Sequence, residues 1–414
     1  MRKRFFALAA ALIVLSGCTQ TGTTSASPSA ATTTASPSPA AKANTFDVQV
    51  DTKSPAFNLA TTAYFPNALQ AHPGDTVRFT SLDRGEPHTV AFGTLIDAAA
   101  AALAKQPPPG PNAPPPPDPP EIQKLPRLII PPGPNGPPTV AQAAGQPCFV
   151  AKGDPPAAPK DPCPKVTQPD FDGTQSLYNS GWLPDKAVFN VKLAETTKPG
   201  VYTFMCLLHQ GGMTGQLTVV DKSQPVQPQD ALKAKADAQL AKMVQGLQGP
   251  ATAAAKNPAD KAVAGSLAQD VQDGLVLQFG PKDLAIPVGG SVTWTVFGPH
   301  TVSFNGPQDA VGALIKDADG TVRLNPKAFA PQDGPGQPPP PAPPPAGTPP
   351  APPPPGPIVI DSGPWDGKTF RSSGLFLSFP PVLFAYKVTF TQAGTYPFRC
   401  NLHPDMEGTV KVGQ

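Results

Sequence analysis

From Thr45 onward the chain alternates apolar and polar positions in short runs. Phe46, Val48 and Val50 alternate, and Thr76-Val77-Arg78-Phe79-Thr80 follows the turn Pro73-Gly74-Asp75. Thr89 to Gly93, Ala187 to Val191, Tyr202 to Cys206 and Gln216 to Val220 continue the pattern. A period of two over about five positions, bounded by Gly, Pro and Asp, predicts half-buried strands. The order then recurs. Leu275 to Phe279 opens a second series, and Gly290 to Thr295 aligns with Gly74 to Phe79. Tyr386 to Phe390 and Tyr396 to Cys400 complete it, and Asn179-Ser180-Gly181-Trp182 has a counterpart in Ser372-Ser373-Gly374-Leu375. This periodicity predicts an all-β protein made by internal duplication, two tandem Greek-key β-sandwiches.

Breaks in the pattern divide the chain. The first sandwich is expected over 44–222 and the second over 269–414. Between them, 223–268 is expected to be a linker, with a short amphipathic helix over 229–247 carrying Leu232, Leu240, Met243, Val244 and Leu247. Each sandwich carries a Pro-rich insertion at the same place, at about 95–170 and about 310–360. Sixty-two prolines and 37 glycines in 414 residues make these insertions polyproline arms or loose spacer rather than core. A net charge of +2, with no basic run after the first residues, argues against nucleic-acid binding.

The N-terminus reads as an export signal. Arg2, Lys3 and Arg4 precede an apolar run from Phe5 to Leu15, too short for a permanent span. Leu15-Ser16-Gly17-Cys18 resembles a bacterial lipobox, which would make 1–18 a lipoprotein signal and Cys18 the lipidated residue; the alternative is an ordinary signal peptide. There is no twin-arginine pair, so export before folding is expected. Residues 19–43, nearly all small and polar, read as a disordered tether reaching about 25–30 Å. The predicted location is the extracytoplasmic face of a membrane.

Five histidines and five cysteines concentrate the chemistry. Cys206-Leu-Leu-His209 leads to Met213, and Cys400-Asn-Leu-His403 leads to Met406. Upstream of each lies Pro-His-Thr-Val, containing His88 and His300. Each set supplies two imidazoles, a thiolate and a thioether, the donors of a type 1 copper centre. Such a plane holds Cu(I) and Cu(II) with little rearrangement. Gly215 and Gly408 are expected to let the chain turn back into the last strand. His72 reads as a turn residue and Met205 as core. Cys148 and Cys163 remain, expected as a disulfide worth roughly 3 kcal/mol, with a third metal site as the alternative.

On these motifs each half resembles a cupredoxin, the plastocyanin, amicyanin and pseudoazurin family. Cys400-x2-His403-x2-Met406 has amicyanin's short spacing; Cys206-x2-His209-x3-Met213 is one residue longer. The family usually has Asn after the first His, where this chain has Thr89 and Thr301, whose hydroxyls would brace the Cys loop. The resemblance implies two cupredoxin-like domains, two type 1 coppers, and loop histidines that reach solvent through an apolar collar of Leu207, Leu208, Leu402 and Pro404. It implies one-electron transfer with redox partner proteins of the cell envelope, and no enzyme activity. Oxidase chemistry would need further histidines, and no His-x-His pair exists. A dinuclear copper centre would need two cysteines in one loop, and each loop has one. The rival readings are a protein that sequesters or delivers copper, and an interaction protein with a structural metal.

Overall fold

The computed structural model describes residues 43–106, 116–131, 137–258, 260–268, 271–338 and 354–413. The expected signal segment with Cys18, the tether up to residue 42 and the most proline-dense stretches lie outside the described residues.

In the first half, alternate side chains of each strand point into a space between two sheets. One sheet runs Val188–Lys192, Thr76–Ser81, Thr45–Val50 and Tyr64–Phe65. The other runs Ala68–Ala71, Thr214–Val219, Gly200–Met205, Ala91–Phe92, Leu177–Asn179 and Cys148–Val150. Phe46, Val48, Val50, Val77 and Phe79 of the first meet Phe92, Phe204, Leu217 and Val219 of the second, all buried. Rings of Tyr64, Phe79, Phe92 and Phe204 pack 4.9–6.2 Å apart. Each such buried side chain contributes about 1.5–3 kcal/mol.

The second half repeats this order. One sheet contains Val271–Gly280, Lys261–Ala268, Ser291–Val296, Phe384–Phe390 and Ile358–Trp365. The facing sheet runs Asp283–Pro287, Glu407–Gly413, Gly394–Arg399, Ser303–Phe304 and Arg371–Ser372. Its core is also aromatic, with Trp294, Phe304, Trp365, Phe390 and Phe398 at 4.9–5.8 Å.

The register of the duplication differs from the sequence alignment by one residue. Val77 faces Val191, and Val292 faces Val388, so Val77 corresponds to Val292, not to Thr293. Gly289, with a left-handed φ of 80°, matches Gly74 at 91°. A one-residue slip would put Thr76 opposite the buried role of Val292, which the two-residue period forbids.

Three further expectations change. Lys261–Ala268 is a strand of the second sandwich, although it falls within the expected linker. The helix is longer than expected, Gln229–Ala254, and it is packed rather than free. Leu232 enters the first core, and Met243 and Leu247 pack with Phe65 of the first half and Val276 of the second. The insertions are also more than spacer. The first forms the helix Thr94–Leu103 and the pair Ile129–Ile130 with Thr139–Val140, burying Ile96, Ala99, Leu128 and Val140. The second forms the pair Leu314–Lys316 with Val322–Leu324.

The halves are joined by backbone. Leu59–Thr61 of the first half pairs antiparallel with Val271–Gly280 of the second half's sheet. The Gln142 amide both accepts from Val322 N (3.0 Å) and donates to Val322 O (2.7 Å), acting as a ladder rung between the insertions. Among the described residues no helix is long and apolar enough to cross a membrane.

Candidate metal centres

Each cysteine directly follows a core strand, and each first histidine lies just before that strand's neighbour, Ala91–Phe92 or Ser303–Phe304, so the sandwich brings both to one end. The ligand atoms of His88, Cys206 and His209 lie within 4.8 Å of one another, and so do those of His300, Cys400 and His403. In the first cluster His88 Nδ1 is 4.0 Å from Cys206 Sγ. In the second, His300 and His403 Nδ1 are 3.9 and 3.5 Å from Cys400 Sγ and 3.0 Å from each other. All are buried except His209, whose side chain is 17 % exposed.

The ligand loops close in the same way. Cys206 N donates to Met213 O at 3.1 Å, and Cys400 N to Met406 O at 2.9 Å, and both Met side chains are buried. The Thr89 hydroxyl accepts from Leu207 N, and the Thr301 hydroxyl from Asn401 N, both at 2.7 Å. Ser180 and Ser373 hydroxyls accept from Val90 N and Val302 N behind the first histidines. Gly215 and Gly408 do not turn the chain as expected. They sit inside strands opposite Phe204 and Phe398, whose rings occupy the space a Cβ would need.

The two sulfurs are electrostatically prepared. Burial alone would raise the Cys206 thiol, but the neighbouring His209 and His88 imidazoles hold it well below the usual thiol range. Burial is likewise outweighed at Cys400 by His403 and His300. Thr89 N and Leu208 N each point at Cys206 Sγ from 3.4 Å, and Thr301 N at Cys400 Sγ from 3.4 Å.

These residues fit copper. Among the described residues His209 Nδ1 is buried with no hydrogen-bond partner, and in both sets imidazole nitrogens converge on one thiolate with a Met in the same loop. A His2Cys plane with a thioether suits copper, whereas structural zinc sites take four Cys or His ligands. Each half is a two-sheet β-sandwich with a His-Cys-His set and a Met at one end.

No protein-family model and no curated protein matches the chain. Solved structures similar to it are cupredoxins. A copper(I) amicyanin variant is 11 % identical, covering 42 % of this chain and 82 % of its own, with a TM-score of 0.19. An auracyanin from Roseiflexus castenholzii is 15 % identical, covering 42 % and 96 %, with a TM-score of 0.20. A pseudoazurin from Sinorhizobium is 17 % identical, covering 48 % and 96 %, with a TM-score of 0.17.

The sequence reading missed two carboxylates. Asp51 Oδ2 lies 3.5 Å from His88 Nε2, both side chains fully buried. Glu86 lies between the halves, Oε2 3.4 Å from His209 Nε2 and Oε1 3.1 Å from His403 Nε2. Burial would raise the Glu86 carboxyl, but both imidazoles outweigh it and hold it far below the carboxylate range. A comparison of the copies contained the signal, because Glu86 precedes Pro87-His88 where Gly298 precedes Pro299-His300.

Glu86 also overturns the expectation of two solvent-facing loop histidines. The His403 side chain is 0 % exposed. Of the expected collar, Leu207 is wholly buried and Leu402 nearly so. An apolar cavity of about 860 Å3, walled by Leu208, Leu275, Leu375, Phe379 and Leu402, reaches His209 and Glu86 instead. His72 lies apart, its ring bonded to Gln224 O. Cys148 and Cys163 form a disulfide, Cα atoms 5.2 Å apart.

Proposed function

We propose that the chain carries single electrons through two type 1 copper centres held at the extracytoplasmic face of a membrane by a lipid on Cys18. One observation carries the electron-transfer reading. Two sets of His, Cys and His, buried but for the partly exposed His209, converge their donor atoms within 4.8 Å, each with a Met closing the same loop. Copper bound there would supply a Cu(I)/Cu(II) couple. His88, Cys206, His209 and Met213 would hold one ion; His300, Cys400, His403 and Met406 would hold the other.

The protein's part is to keep the donors in place in both oxidation states. The hydroxyls of Thr89 and Thr301 pin the residues after each cysteine, and the sandwich fixes the first histidines. Small apolar faces suit brief encounters with redox proteins. The cavity at His209 is where a partner's apolar side chain would enter. The absence of His-x-His pairs supports a carrier over an oxidase. The anchor rests on the lipobox-like Leu15-Ser16-Gly17-Cys18.

A second reading has one observation in its favour. His403 is closed off from solvent, which suits a protein that stores or delivers copper. A visible spectrum of residues 45–414 titrated with Cu(II) separates the two. An intense thiolate-to-copper band near about 600 nm, saturating at two coppers and halved by Cys206→Ser or Cys400→Ser, is expected. A colourless protein that takes only Cu(I) would establish copper handling instead. Loss of a lipid-modified form in Cys18→Ala, seen by mass spectrometry, tests the anchor.

A further inference from the structure

One carboxylate serves two clusters whose loops lie in different halves of the chain. Glu86 Oε1 meets His403 Nε2 at 3.1 Å and Oε2 meets His209 Nε2 at 3.4 Å. Glu86 is 8 % exposed, and among the described residues neither Nε2 has another side-chain acceptor. Glu86 thus offers each imidazole an acceptor at Nε2 and leaves Nδ1 as the nitrogen that faces the thiolate, where a metal would take the place of a proton.

The chain before Glu86 is built for this reach. Gly85 has φ of 97°, and a Cβ there would run into Leu402 O and His403 Cα. Glycine lets the first half press directly against the second half's ligand loop. Arg84 donates to Asp405 at 3.2 Å and to Asn58 Oδ1, and Asn58 donates to Pro404 O at 3.2 Å. The segment Arg84 to Glu86 thus grips residues 402–405 from outside. The second half has no counterpart, since Gly298 stands where Glu86 would be.

We infer that Glu86 is a positioning residue for both metal centres, so that the centre of the second half is complete only with a residue of the first. This rests on both clusters binding copper, and the test separates the two claims. Cys206→Ser leaves only the second-half centre, and Cys400→Ser leaves only the first. Copper is titrated into each, with and without Glu86→Gln, following the thiolate-to-copper band. Absence of copper in the parent single-site variants would defeat the copper reading itself. Given binding in the parents, Glu86→Gln weakens the surviving centre roughly 10- to 100-fold in both backgrounds, the usual effect of losing such an outer partner. Unchanged affinity of the second-half centre overturns the inference.

A metal-free readout excludes a merely structural role. Ring-nitrogen NMR shifts of His403 are expected to show the Nε2–H hydrogen bond to Glu86 in the native protein and its weakening in Glu86→Gln. An unaltered Nε2 shift also overturns the inference. Should the Gln variant unfold, Glu86→Asp decides: it keeps the charge but is one methylene short of spanning both rings. Native affinity at the second-half centre of that variant would overturn the inference too.

Discussion

Asp51 and Gly265 occupy the same place in the two halves, and only one of them carries a carboxylate. Each follows the last pair of a parallel ladder, Val50 with Ser81 and Ala264 with Val296, and each has a left-handed φ, 59° and 78°. Asp51 Oδ1 accepts from Thr61 N and Thr61 Oγ1 at 2.7 Å and from Thr52 N at 2.6 Å. Its Oδ2 is left facing His88 Nε2. Among the described residues His300 Nε2 has no hydrogen-bond partner. Two centres with the same donors are therefore backed differently.

A carboxylate behind an imidazole raises its basicity and favours the more charged metal state. The first-half centre is accordingly expected to have the lower reduction potential. Asp51→Asn should weaken copper there by roughly 10- to 100-fold, leave the second-half centre alone, and narrow the gap between the two potentials. Spectroelectrochemical titration of the native two-copper protein and of the Asp51→Asn variant checks this. Coincident potentials in the native protein would count against it.

Gly265→Ala tests the other side of the pair. A Cβ there would strike His300 Nε2 and Phe297 O, and φ of 78° is itself unfavourable for a side chain. The strain costs about 1–3 kcal/mol. Relief requires His300 to move, so copper stoichiometry should fall from two to one while the first-half band persists. Two coppers with native spectra in the Ala variant would show that His300 is not seated against Gly265.

The threonines after each first histidine carry a separate prediction. Leu207 N and Asn401 N are buried and rely on the Thr89 and Thr301 hydroxyls. Thr89→Val or Thr301→Val keeps the shape and orphans the amide, at a cost of about 1–3 kcal/mol each. Denaturant unfolding of the metal-free protein measures it. Equal stability of the Val variants would mean the loop finds another acceptor.

How far the sequence reveals this molecule depends on the range of each interaction. Strands such as Thr76–Ser81 and the Cys-x2-His loops are local patterns, so periodicity and spacing find them. Lys261–Ala268 was missed because Ala, Gly and Ser give it little alternation; only pairing with Val271–Gly280 and Ser291–Val296 makes it a strand. The helix Thr94–Leu103 is hidden by the prolines that follow it. Asp51 and Glu86 look like ordinary surface acids, since nothing local says that one backs His88 and the other bridges the halves. The one-residue slip at Gly74 and Gly289 arose because adjacent glycines, Gly289 and Gly290, offered two alignments and only strand pairing chooses between them.

The disulfide gives a prediction independent of metal. Cys148 and Cys163 are 15 residues apart and both buried, and Cys148 lies in an edge strand of the first sandwich. Closing a loop of that length contributes about 3 kcal/mol by restricting the unfolded chain. Replacing both cysteines by Ser should lower stability by about that amount with copper binding intact. Denaturant unfolding under oxidising and reducing conditions checks it, because reduction should destabilise the native protein and leave the double variant unmoved.

The second half expressed alone, residues 257–414, should fold poorly. Val271–Gly280 would lose Leu59–Thr61 from its edge, along with the 2.9 Å bonds of Asn58 to Leu277 N and O and of Thr62 N to Asp273 O. Each lost hydrogen bond costs about 0.5–1.5 kcal/mol net, and the bared edge becomes a site for pairing with other copies. Val276, which packs with Phe65, would face water as well. His403 would be without Glu86. The fragment is therefore expected to self-associate on size-exclusion chromatography and to take up copper weakly, whereas adding the first half in trans should restore both properties. A monomeric fragment with native copper affinity would show instead that the halves are independent carriers, and that Leu59–Thr61 and Glu86 join two finished domains rather than completing one.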